Sequence, residues 1–263
     1  MESKEFYTRK EIPQEEMDRL KETAYPSWLS GTVLNKFDLD GKKVLDSGAG
    51  PNSMLAVFVF EKGGTYVHLD CREDVLATMK SQLDSIGRPY HGVQADLTKK
   101  LDFPDKFFDI VHQRFVLMHI APEKRKQVLE ESLRVAKESV VLIEYDWRMF
   151  QSTKNPETIE RIKHLAFPFF ERFSADPYMG EKFEELFSEI DTGIEYSIQR
   201  FRREENVSNT PDLIGLLKSF SSAAKHVLKD EDLAHKFGNL IEELEKSPIS
   251  YSPPDYVVAT IKV

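Results

Sequence analysis

The sequence predicts an α/β fold, a doubly wound and mostly parallel sheet with helices on both faces. Three observations carry that expectation. Short apolar runs of strand length alternate with stretches of helical periodicity, the pattern of βαβ units. The first run, Val44-Leu45-Asp46-Ser47-Gly48-Ala49-Gly50, ends in two glycines just before a helix, so the backbone there can turn tightly and approach a ligand. Acids then close three successive strands, Asp46, Asp70 and Asp96, at the carboxyl ends where an open α/β sheet binds its ligands.

Residues 14 to 36 place Met17, Leu20, Ala24, Trp28 and Leu29 at a helical spacing broken at Pro26, which predicts one or two helices capping the fold. Asp40-Gly41 turns the chain into a first strand over 42–46. Residues 53–61 form a strongly apolar helix ended by Gly63-Gly64. A second strand, 66–69, runs up to Asp70, and the helical spacing of 73–86 stops at Gly87. Tyr90 to Gln94 is the third strand and Phe108 to His112 the fourth, followed by a helix over 122–136 with Pro122 in its first turn. Ser139 to Tyr145 reads as a fifth, apolar strand.

Beyond Trp147 the rhythm changes. Residues 156–190 are expected to be helical and are rich in aromatics, among them Phe167, Phe169, Phe170, Phe173, Tyr178, Phe183 and Phe187, which suggests an insertion rather than another βα unit. Ile194 to Phe201 alternates as a strand, Pro211–Leu228 and Glu231–Glu245 read as two more helices, and Tyr256 to Ile261 is a final strand.

Composition narrows the function. Lys and Arg number 36 against 45 Asp and Glu, a formal net charge of −9 that opposes sequence-independent attraction to nucleic acid. The single cysteine, Cys71, leaves no internal disulfide framework and no multi-thiolate metal site, and it agrees with a reducing compartment. No segment of signal-peptide character opens the chain and none approaches the ~20 apolar residues of a spanning helix, so the expectation is a cytoplasmic protein away from membranes.

Asp46 selects the ligand of the glycine loop. A dinucleotide would bring its pyrophosphate beside this carboxylate in a partly dehydrated cleft, where like charges are costly. A ligand with a cationic ammonium reverses that sign. S-adenosylmethionine fits: its amino-acid end brings an ammonium, and its ribose and adenine offer hydroxyls and an amine to acids further along. No metal is implied.

The runs VLDSGAGPNS at 44–53, VHLD at 67–70, QADLTK at 94–99, and FDIVHQRFVLMHI at 108–120 followed by SLRVAKESVVLIEYDW at 132–147 together resemble the class I S-adenosylmethionine-dependent methyltransferases over essentially the whole chain. The resemblance implies a seven-stranded Rossmann-like sheet whose last strand is antiparallel, with an α-helical lid. It places Asp46, Ser47, Gly48, Ala49, Gly50 and Asn52 around the methionine moiety, Asp70 at the ribose, Asp96 and Leu97 at the adenine, and Gln113 and Arg114 where cofactor and substrate meet, with Cys71 also counted among the cofactor-binding residues. Asn52 departs from the pattern, standing where a third glycine is frequent.

The fourth strand ends in HQRF and lacks the Asn-Pro-Pro-aromatic signature of enzymes that methylate adenine or glutamine amines. Arg114 is expected either to hold an anionic substrate or to pair with an acid at the rim. His119 is a candidate base, with a hydrogen-bonded structural role as its alternative. Glu144-Tyr145-Asp146-Trp147 closes the fifth strand with an acid-aromatic run resembling small-molecule methyltransferases related to ubiquinone and menaquinone biosynthesis. Tyr145 and Trp147 would line an acceptor pocket and Asp146 would bind a polar group there; packing beneath the insertion is the competing reading.

The domain expectation is one decorated unit: a helical cap at 1–40, a cofactor-binding core at 41–150, lid insertions at 151–192 and 204–250, and the last strands at 193–203 and 254–263. The function expected is methyl transfer from S-adenosylmethionine to an oxygen, nitrogen or carbon of a small molecule. Three alternatives stay open: methylation of a peptide side chain, a cofactor-binding partner subunit without chemistry, and an NAD-dependent oxidoreductase.

Overall fold

The computed structural model describes Met17, residues 37–190 and residues 193–263. The expected capping helices at 14–36 lie outside the described residues, apart from Met17, which is helical and buried.

Each expected strand forms: β1 (Lys43–Ser47), β2 (Thr65–Asp70), β3 (Gly92–Gln94), β4 (Phe108–Arg114), β5 (Ala136–Asp146), β6 (Glu195–Phe201) and β7 (Asp255–Lys262). They make one sheet in the order β3-β2-β1-β4-β5-β7-β6. The first five are parallel, while β7 runs antiparallel between β5 and β6. The strand order reverses at β1, since β2 and β3 lie on one side of it and β4 on the other. A crevice forms at such a switch point, outside the carboxyl ends of the strands.

Helices α1 (Met54–Glu61) and α2 (Glu73–Ser85) cover one face. Leu55, Ala56, Val59, Met79 and Leu83 pack there on Val44, Tyr66, Ile110, Val141 and Ile143. Alternate residues of the same strands, Leu45, Leu69, Val111 and Leu142, point the other way and meet Val128, Leu129 and Val135 of α3 (Pro122–Val135). Parallel strands buried on both faces account for the continuous apolar runs.

The helical stretch expected over 156–190 forms as two helices. Helix α4 (Pro156–Arg172) stops where Ser174 takes a left-handed conformation, φ 52°, and Pro177 follows. A 3₁₀ turn at Met179–Lys182 leads into the short α5 (Phe183–Ser188). Phe183, Leu186 and Phe187 lie under the sheet with α3, so α5 covers the sheet rather than joining the lid. Helix α4 packs instead with α6 (Thr210–Ala223), extended by one π-helical stretch at Ala224–Leu228, and with α7 (Glu231–Lys246). Their shared core of Phe169, Phe170, Phe220, Phe237 and Leu240 also takes in Trp147 and Phe150, just past the end of β5. The connections thus place this helical unit at the carboxyl end of the parallel strands.

Candidate functional site

The glycine loop between β1 and α1 is fastened to the end of β2. Gly48 and Ala49 donate their N–H groups to the Leu69 carbonyl at 2.8 and 3.2 Å, and the Gly50 N–H reaches Asp70 Oδ2 at 3.1 Å. Gly48 and Gly50 both have positive φ, 70° and 61°, which glycine adopts without steric cost. Their surroundings differ. A Cβ on Gly48 would lie 2.8 Å from Val116 Cγ2 and 3.4 Å from Leu97 Cδ1, whereas a Cβ on Gly50 would meet nothing within 4 Å among the described residues. Among those residues the loop is therefore packed at Gly48 and open at Gly50.

Asp70 is buried at the tip of β2, and its other oxygen accepts the Arg72 N–H at 3.0 Å. Burial pushes its carboxyl above the ordinary range, against those two backbone donors. Cys71 is exposed, with a thiol pushed up to about 12 chiefly by desolvation and then by the Asp70 charge. Past β3, Asp96 Oδ1 accepts from the Thr98 N–H and hydroxyl at 2.9 and 2.7 Å, and Oδ2 lies 3.3 Å from Lys99 Nζ. Burial works to raise the Asp96 carboxyl, and these partners outweigh it and hold it low. Leu97, beside Gly48, shares the same corner.

Several expected contacts turn out to be internal. Asn52 Oδ1 accepts the Met54 N–H at 3.0 Å, closing an Asx turn at the start of α1, so this side chain shapes the loop. Ser47 and Gln113 project onto the α3 face of the sheet. Gln113 Nε2 donates to Ser132 Oγ at 3.0 Å and to Ser47 Oγ at 3.5 Å, with Gln113 1% exposed. Strand alternation is the reason: Asp46 and His112 occupy one face, and their neighbours Ser47 and Gln113 must occupy the other. Asp46 itself is buried, and both its oxygens accept hydrogen bonds from protein side chains, Tyr66 and His112.

Beyond Arg114 the chain enters a kink. Phe115 has φ 57°, an uncommon conformation for a bulky residue, and donates its N–H to the Ile143 carbonyl at 2.8 Å. Its ring stacks on Tyr145 with centroids 4.0 Å apart, and Tyr256 leans on both rings, its hydroxyl 3.4 Å from that of Tyr145. The Arg114 guanidinium sits 5.3 Å from the Phe115 ring centroid. Arg114, Phe115, Tyr145 and Tyr256 therefore form an aromatic and cationic wall at the carboxyl ends of β4 and β5.

The other two residues of the expected pocket are placed differently. Asp146 is fully buried and held by Arg148 and Arg200, with Nη atoms at 2.6 and 2.8 Å from Oδ2, while both arginines also pair with Glu181. Burial alone would raise its carboxyl; the arginines bring it down. Its oxygens are thus committed to the fold. Trp147 is buried in the helical core against Phe150, Phe167 and Phe170, and its Nε1 meets no hydrogen-bond partner among the described residues.

His119 ends a 3₁₀ turn, Leu117–His119, that immediately follows Val116. This turn is held by a residue to which sequence reading assigned no role: Glu144 Oε1 accepts the Leu117 and Met118 N–H groups at 2.7 and 3.3 Å. Burial pushes the Glu144 carboxyl up to about 8. Arg125 donates from Nε to the Leu117 and Ile120 carbonyls, and the Asp176 N–H bonds the Met118 carbonyl. An acid directly after the apolar run Val140–Ile143 of β5 was the visible signal for Glu144. For Tyr66, His112 and Val116 the signal was weaker, because their roles depend on which strands are neighbours.

Residues 45–143 match the family model of a methyltransferase domain. Ubiquinone/menaquinone biosynthesis C-methyltransferases UbiE from Burkholderia mallei and Burkholderia thailandensis are 26% identical over 170 residues, covering 63% of this chain. The match spans 64% of the length of those curated relatives. Among solved structures, a putative methyltransferase from an antibiotic biosynthesis pathway of Anabaena variabilis superposes with a TM-score of 0.60 at 17% identity, over 89% of this chain and 96% of that one. A SAM dependent methyltransferase from Aquifex aeolicus gives 0.55 at 15% identity, over 96% of this chain and 100% of that one. Residues 45–143 therefore match a methyltransferase domain, and the chain has the Rossmann-like α/β fold of these solved methyltransferases.

Proposed function

We propose that this protein transfers a methyl group from S-adenosylmethionine to a nucleophilic atom of a small molecule. The observation that carries the reading is the bond from the Gly50 N–H to the Asp70 carboxylate. It sets an open, positive-φ backbone beside a buried acid at the tip of β2, and a ligand with both an amino-acid end and a ribose needs those two features together. The residues present fit such a ligand. The backbone of 48–50 would hold its amino-acid end, Asp70 retains lone pairs for ribose hydroxyls, and Asp96 with Leu97 would hold the adenine.

The bound donor supplies an electrophilic methyl carbon on a sulfonium. The contribution of this chain is to hold the acceptor in line with that carbon and to keep water out. The Arg114, Phe115, Tyr145 and Tyr256 wall would do the first, and its aromatic surface suits a small, partly apolar acceptor better than a nucleic acid. The helical unit of α4, α6 and α7 would do the second. His119, on the turn beside Val116, stays the candidate base for acceptors that carry a proton.

Calorimetric titration with S-adenosylhomocysteine and, separately, with NAD tests the donor. Micromolar binding of the former alone supports the reading and licenses a screen of small molecules and peptides with labelled S-adenosylmethionine. Binding of NAD alone, or of neither compound, overturns it.

A further inference from the structure

The register of the sheet surrounds one acid with polar neighbours. Asp46 on β1 is paired with His68 of β2 on one side and with His112 of β4 on the other. His112 Nδ1 lies 2.7 Å from Asp46 Oδ1, and the Tyr66 hydroxyl donates to Oδ2 at 2.7 Å. With Asp46 only 4% exposed, side chains rather than water solvate its carboxylate. Burial would push that carboxyl up, and the imidazole and phenol bring it below the ordinary carboxylate range.

This cluster is more polar than packing requires. His68 is fully buried, with its Nδ1 3.4 Å from the Tyr90 hydroxyl and the Gly50 backbone against its ring. Apolar side chains at 66, 68 and 112 would fill the same space without that desolvation cost. What the polar set does instead is keep a charge ionised two residues before Gly48. A carboxylate with one donor on each oxygen still has a second lone pair on each.

We propose that His112 and Tyr66 are positioning residues that keep Asp46 charged and oriented for the ammonium group at the amino-acid end of the S-adenosyl ligand. The inference rests on the methyl-donor reading above and deepens it, by naming the side chains through which the loop distinguishes a cationic amino-acid end from a phosphate. Losing either donor leaves the buried carboxylate under-solvated, so that it takes up a proton or turns away, and the ammonium then meets a weaker partner.

Two probes separate this role from a structural one. S-adenosylhomocysteine carries the ammonium, whereas 5′-methylthioadenosine keeps the adenosine and the thioether and lacks the amino-acid end. Both are titrated calorimetrically into wild type, Tyr66→Phe, His112→Leu and His112→Asn, each checked for folding by circular dichroism. Tyr66→Phe and His112→Leu are expected to weaken S-adenosylhomocysteine about tenfold, as for a lost hydrogen bond to a charged group, and to change 5′-methylthioadenosine less than about twofold. His112→Asn, whose amide can donate where Nδ1 did, restores most of the loss. Equal weakening for both probes, or none for either, overturns the proposal and leaves the methyl-donor reading standing. Wild-type protein that binds neither probe overturns both. Should His112→Leu not fold, Tyr66→Phe, which removes a single oxygen, decides.

Discussion

Glu144 and Leu117 are joined across the end of the sheet, the buried carboxyl on β5 accepting the backbone N–H of the turn after β4 at 2.7 Å. The pair couples the protonation of one side chain to the turn that carries His119 and abuts Val116. Because burial raises the Glu144 carboxyl to about 8 from an ordinary value near 4.5, the folded state retains a proton that the unfolded state has released between those limits. Its stabilising contribution is therefore complete below the lower limit and is lost as pH rises through about 8. A tenfold change in proton affinity corresponds to ~1.4 kcal/mol, so urea denaturation from about pH 5 to about pH 9 is expected to show wild type losing a few kcal/mol relative to Glu144→Gln. Parallel curves for the two proteins would contradict this.

Gly48 and Gly50 share a left-handed backbone and differ in their neighbours, which orders two alanine variants. Gly50→Ala adds only conformational strain, ~1–2 kcal/mol. Gly48→Ala adds the same strain and also a methyl 2.8 Å from Val116. Thermal melts should rank Gly48→Ala as the less stable, with Val116→Ala in the same chain recovering part of the difference.

Asp70 ties two backbone amides and is the ribose acceptor proposed above. Asp70→Ala should weaken S-adenosylhomocysteine by ~1.5–3 kcal/mol, and Asp70→Asn, which keeps one carbonyl oxygen, by less. Titration calorimetry reads both. Equal affinity for wild type and a folded Asp70→Ala would remove Asp70 from the site.

Asp146 belongs to the fold. Replacing it by Asn strips a buried acceptor from Arg148 and Arg200, both of which retain access to water and to Glu181, and should cost ~1–3 kcal/mol in chemical denaturation. Affinity for S-adenosylhomocysteine should stay unchanged, since the network lies at the β5–β6 side of the crevice.

The strands were legible because parallel strands buried on both faces leave continuous apolar runs, and the glycine loop because its residue types permit little else. The strand-end acids at 46, 70 and 96 were visible for the same local reason. Side-chain direction was harder. Ser47 and Gln113 sit one position from Asp46 and His112, and a strand sends such neighbours to opposite faces. The partnership of Asp46 with His112 requires knowing that β4 lies beside β1, which no local window contains. The break at Ser174 was hidden because a serine is not a conventional marker of left-handed backbone.

The segment from 173 to 182 joins α4 to the sheet, and its contacts determine how the crevice can open. Asp176 bonds the Met118 carbonyl through its N–H and pairs with Arg125 and Lys182 at 3.0 and 2.6 Å; the Pro177 carbonyl takes the Trp147 N–H. At Gly180 the backbone lies so close to β7 that an added Cβ would sit 2.7 Å from Val257. This root is riveted rather than hinged. Amide exchange should therefore be slower at this root than at the outer ends of α6 and α7.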